Sequence, residues 1–161
     1  MHPEYPPFMF GYGILPAIFA KIQDREAPEI FSHDYLRFTL GFSRESDRAF
    51  IALAKRIGFL AVDGKPTDLY TQFLNPKHAQ AAMAKAMRHG FSALYARQAN
   101  IEEVERKALG TLVAELMGVD AGHATARAVI GTFFTLKELA SPKVEVPRAT
   151  NRRKVPERRT R

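Results

Sequence analysis

Residues 47–70, DRAFIALAKRIGFLAVDGKPTDLY, constrain this chain most, because helical periodicity is interrupted there by a turn and then resumes. Ala49, Phe50, Leu53, Ala54 and Ile57 recur at three- and four-residue spacing, with Ser46 as cap, which predicts an amphipathic helix over 46–57. Gly58 ends it. The apolar run FLAV then meets Asp63-Gly64, which supplies positive φ, and Pro66, which fixes φ for the return. Thr67 caps a further helix whose Leu69, Tyr70, Phe73 and Leu74 share a face. A helix followed at once by a hairpin is the local plan of a winged helix, where the helix enters a DNA groove and the hairpin lies beside it.

The same periodicity organises the rest. ILPAIFAKIQDRE (14–26) places Ile14, Ala17, Ile18 and Ile22 on one face, with Pro16 in the first turn where its missing N–H does no harm. SHDYLRFTLGF reads as a helix capped by Ser32, with Tyr35, Leu36 and Leu40 inward and Gly41 as its stop. After Pro76, positions 79, 82, 83, 86, 87, 90, 91, 94 and 95 are all small or apolar, an unbroken helical stripe of about five turns. Gly90 inside it predicts close approach of another helix. The stripe serves either as core or as a dimer seam through Met83, Met87, Gly90 and Leu94, and core is favoured. Asn100 caps IEEVERKALGTLVAELMG, with Glu102, Glu103 and Glu105 in the dipole-favoured first turns. A last helix, about His123 to Ala140, buries Ala126, Val129, Ile130, Phe133, Phe134 and Leu136 before Ser141-Pro142 stops it. The PPFMF segment (6–10) packs on the body or lies on a partner.

The fold class is therefore mainly α: a winged-helix-like unit with one small hairpin at 1–75, a helical unit of three helices packed on it at 76–140, and a basic tail at 141–161 that cannot form a core. The net charge of +7 comes largely from that tail. Eight of the 24 Lys and Arg and two of the 17 acids lie between Ser141 and Arg161, which leaves 16 bases against 15 acids in residues 1–140. The body is nearly neutral, so the charge does not argue that its whole surface is built for phosphate.

With no cysteine, thiolate catalysis, disulfides and cysteine-ligated metals are excluded. The proline-broken start MHPEYPPFMFGYG lacks the basic n-region of a secretory signal, and no apolar run approaches the ~20 residues of a membrane span. The chain reads as soluble and cytoplasmic, with no membrane role. The histidines at 2, 33, 78, 89 and 123 have no metal-ligand spacing, and no carboxylate pair stands on an apolar face. DGKPT lacks the glycines of a phosphate loop, and Ser43, Ser46 and Ser92 lack a nucleophile-elbow context. The expectation is a protein that is not an enzyme and has no cofactor, catalytic residue or metal.

RAFIALAKRIGFLAVDGKPTDLYTQFLNP, with GYGILPAIFAKIQDREAPEIFSHDYLRFTLGF before it and AAMAKAMRHGFSALY and AVIGTFFTLKELA after it, resembles a prokaryotic family of domains of unknown function over about residues 8–140. Where the family typically starts Ser-Pro-Gly, this chain has Gly11-Tyr12-Gly13. The resemblance implies a winged-helix-like front half and a helical back half, and no activity or ligand.

Two functions follow as expectations. The first is nucleic-acid binding, with duplex DNA contacted by Arg44, Arg48, Lys55, Arg56 and Lys65, and sequence-independent attraction from Arg152, Arg153, Lys154, Arg158, Arg159 and Arg161. Glu45 and Asp47 cut against it, because a recognition helix usually leads with its N-terminal end. The second is a protein-interaction or homo-oligomerisation module working through the helices after Pro76. The tail is equally a solubilising terminus.

Overall fold

The computed structural model describes residues 5–141. Its helices are α1 (Leu15–Gln23), α2 (Ala49–Arg56), α3 (Asp68–Leu74), α4 (Ala79–Gly90), α5 (Ser92–Arg97), α6 (Arg106–Met117) and α7 (Ala124–Ala140), with a π-type turn at Tyr35–Thr39. The chain is mainly helical, as its periodicity predicts. β-structure among the described residues is one antiparallel bridge, Leu60 to Pro66.

α7 is the hub. It packs against α4 and α6 and also reaches α1. Its buried residues include Ala126, Ala128, Val129, Ile130, Gly131, Thr132, Phe133 and Leu136, which surround the helix instead of forming one stripe. A helix apolar on most sides must be enclosed by others. Two of its small residues receive the N-terminal segment. The Tyr12 ring occupies the space where a Cβ on Gly131 would stand. Thr132 accepts the Met9 N–H at 3.1 Å and donates to the Met9 carbonyl at 3.3 Å. Pro6, Pro7 and Met9 are buried, so the PPFMF segment packs on the body. The His123 ring nitrogen Nδ1 caps α7 by accepting the Thr125 N–H at 3.1 Å.

A second cluster is aromatic. Phe19 of α1 sits 5.3 Å from Phe50, 5.7 Å from Phe59 and 5.2 Å from Phe73, ring centre to ring centre. Phe31 joins it through Phe50 at 5.7 Å. These edge-on and tilted contacts lock α1, α2, the 59–67 turn and α3 together.

The DGKP turn forms around Gly64, whose φ is +91°. Ala61 donates to the Lys65 carbonyl at 2.8 Å and Thr67 to the Phe59 carbonyl at 3.0 Å, the two bonds that flank the single bridge. The Thr67 hydroxyl donates to the Gly58 carbonyl at 2.6 Å and accepts the Tyr70 N–H at 3.5 Å, so it caps α3 as its position predicts.

Several local expectations are corrected. On α1 the buried face is Leu15, Ile18, Phe19 and Ile22, while Ala17 is exposed, because Ile14 belongs to a 3₁₀ turn at Tyr12–Ile14 that resets the helical phase. Ser46 is not a cap. It lies inside a 3₁₀ turn at Glu45–Arg48, where the buried Asp47 carboxylate accepts the Arg44 N–H at 3.2 Å. The long stripe is interrupted: Phe91 leaves helical geometry (φ −101°, ψ 28°) between α4 and α5. Gly90 nevertheless does what its position predicts, since a Cβ there would lie 2.8 Å from Ile57 Cγ2 and 3.2 Å from Ile57 Cα. The stripe itself is core, with Met83, Met87, Phe91 and Leu94 all buried. Glu105, and not Asn100, precedes α6; Glu102 and Glu103 form a separate 3₁₀ turn anchored by buried Ile101. There Glu102 accepts the Tyr95 hydroxyl at 2.9 Å, and burial, helped by that bond, pushes the Tyr95 phenol well above its usual pKa.

Candidate nucleic-acid interface

The segment from Ser32 to Arg48 folds back on itself and gathers charge. Ser32 Oγ accepts the Tyr35 N–H at 3.1 Å and starts the turn. Within it the Leu40 N–H reaches the Tyr35 carbonyl at 3.0 Å, the wider spacing of a π-type turn. Leu36 and Leu40 are buried by this, and Arg37 and Phe38 are left exposed. Gly41, at φ +90°, reverses the chain, and Phe42 bonds back to the Leu36 carbonyl at 3.0 Å. Arg44 and the 3₁₀ turn at Glu45–Arg48 then come to lie beside the residues before Gly41.

The result is a cleft of about 320 Å³ lined by Arg37, Arg44 and Arg48, with His33 and Ser43 and the acids Asp34 and Glu45. Arg44 pairs with Asp47 at 3.5 Å and Arg48 with Glu45 at 3.5 Å. Arg48 and Glu45 are both more than half exposed, and an exposed pair of this kind is held by at most about 1 kcal/mol, whereas Arg44 reaches out from a buried Asp47 carboxylate. A phosphate oxygen can therefore displace Glu45 from Arg48 at little expense and add to the exposed side of Arg44, and planar guanidinium groups suit it by geometry as well as by charge.

The other sequence-predicted positions divide. Lys55 is exposed on α2. Lys65 stands on the short hairpin, 4.0 Å from Asp63. Arg56 is half-buried and donates to the Tyr5 carbonyl at 2.6 Å, and burial lowers its pKa from the usual guanidinium value. It ties the N-terminal segment to α2. Arg152, Arg153, Lys154, Arg158, Arg159 and Arg161 lie outside the described residues.

Sequence reasoning named Arg44 and Arg48 but passed over His33, Arg37 and Phe38. A signal was present, since placing Leu36 and Leu40 inward leaves Arg37 and Phe38 on the outer side of the same turn. A second groove, of about 470 Å³, lies between α1, α3, α4 and the end of α7, lined by apolar groups such as Phe19, Phe73 and Leu139 and by the amides of Gln23 and Gln80. Among the described residues no group of three His, Asp or Glu side chains is placed to hold a metal ion. Nor is any helix there long and apolar enough to cross a membrane.

These features define a helical domain with an arginine-lined surface cleft. The chain belongs to DUF5343, a family of unknown function whose pattern matches residues 7–146. No curated protein and no solved structure matches it.

Proposed function

We propose that this chain is a non-enzymatic nucleic-acid-binding module that contacts the phosphate backbone of duplex DNA through Arg44, Arg48 and Lys55, with Arg37 as an added contact. The observation that carries this reading is the convergence of Arg37, Arg44 and Arg48 on one cleft. In the winged-helix-like version, α2 lies against the duplex and the 59–67 hairpin serves as a minimal wing whose contact is Lys65. Arg56 has a structural part, because its guanidinium already serves the Tyr5 carbonyl. The tail cations supply long-range attraction that does not depend on sequence.

The test is fluorescence anisotropy of a labelled duplex across roughly 50 to 200 mM salt. The full chain is compared with an Arg44/Arg48/Lys55→Ala variant and with a variant lacking the six arginine and lysine charges at 152–161. Each phosphate contact contributes about 0.9 to the slope of log affinity against log salt, so the triple variant should flatten that slope by about three. Undiminished binding by the triple variant, or no binding by the full chain at the low-salt end, contradicts the proposal.

A protein-interaction role is the second reading, and one observation favours it. Val62 at the hairpin tip is 91% exposed, and Ile30 is also exposed, its Cγ2 lying 3.4 Å from where a Cβ on Gly64 would stand. On this reading the hairpin would be the contact surface, and what supports it is that the stripe on α4 and α5 is already covered within the chain.

A further inference from the structure

The arginine-lined cleft has an aromatic neighbour that backbone contacts alone do not use. Phe38 is 73% exposed, the most exposed aromatic side chain among the large hydrophobic residues on the described surface. The Arg37 guanidinium lies over its ring, 5.1 Å from the centroid. Arg37 also lines the cleft that Arg44 and Arg48 share. One arginine therefore joins a planar apolar surface to the arginine-lined cleft. Phe38 is held on the outer side of the π-type turn, because Leu36 and Leu40 fix the opposite side in the core.

From this juxtaposition we infer that the site takes an unpaired nucleotide, its base stacked on Phe38 and Arg37 and its phosphate held by Arg44 and Arg48. Stacking accepts any base, because every base presents a π-face, and an arginine beside the ring adds to it. A base inside a duplex is stacked on its neighbours and cannot use Phe38, so this contact is open only to single strands, ends and extruded bases. The inference rests on the nucleic-acid reading above and adds a preference to it.

The experiment measures affinities for a single-stranded oligonucleotide and for a duplex of the same length, using the full chain and its Phe38→Ala, Phe38→Tyr and Arg44/Arg48→Ala variants. Phe38→Ala should weaken single-strand binding about tenfold, leave duplex binding unchanged, and be rescued by Phe38→Tyr, which keeps the ring. Arg44/Arg48→Ala should weaken both. If Phe38→Ala binds the single strand as tightly as the unaltered chain, while Arg44/Arg48→Ala still weakens both probes, the stacking inference is overturned and the backbone reading stands. If the unaltered chain binds neither probe, both are overturned.

Discussion

Phe19→Ala is expected to destabilise the fold by about 3–5 kcal/mol, the range for removing a buried phenyl ring from a packed core. Phe19 is 1% exposed, and its ring meets Phe50, Phe59 and Phe73 on three separate elements. Its loss removes transfer energy and leaves a cavity that α2, the hairpin and α3 cannot close together, because Ile57 already lies against Gly90. Domain stabilities are about 5–15 kcal/mol, so this single change consumes a large share. Urea unfolding followed by far-ultraviolet circular dichroism measures it. A loss below about 1 kcal/mol would mean that the aromatic cluster does not hold these elements together.

Thr132→Val is the second large effect. The hydroxyl satisfies both the N–H and the carbonyl of Met9, and Thr132 is fully buried. Valine keeps the shape and strands both groups away from water, which costs about 1–3 kcal/mol. Thr132→Ser keeps the hydroxyl and should recover most of that loss, so comparing the two isolates the hydrogen bonds from the methyl group. Hydrogen exchange at the Met9 amide gives a local readout: fast exchange in the valine variant, near-unaltered protection in the serine variant. Equal stability of the valine variant and the unaltered chain would show that the N-terminal segment does not depend on this contact.

What the sequence disclosed follows from how local each feature is. α3 was legible because its Thr67 cap and apolar spacing lie within a few residues, α7 because of its apolar spacing and the Ser141-Pro142 stop, and Gly58 and Gly64 because positive φ is a local demand. The buried face of α1 was displaced because a 3₁₀ turn at residues 12–14 shifts the phase, and no residue type announces such a turn. The break at Phe91 was invisible to a periodic count, since Phe91 and Leu94 are buried on both readings. Gly90 carried the information, but in its packing role against Ile57.

The arginine cleft was half legible. Arg44 and Arg48 stood out as charges flanking a helix. Their meeting with Arg37 depends on the reversal at Gly41, a through-space fact that spacing along the chain does not encode. Arg56 shows the converse. Its helix position marks it as outward, but the Tyr5 carbonyl that engages it comes from the N-terminal segment, 51 residues away.

On the function proposed above, the turn-rich segment from His33 to Arg48 meets nucleic acid. The most direct measurement is backbone amide chemical-shift mapping of the full chain titrated with a short oligonucleotide. The expected shifts are concentrated at residues 33–48, strongest around Arg37, Phe38, Arg44 and Arg48, with Lys55 and Lys65 moving as well, and absent from α6 and α7. Shifts confined to residues 142–161, or to the helices after Pro76, would contradict it.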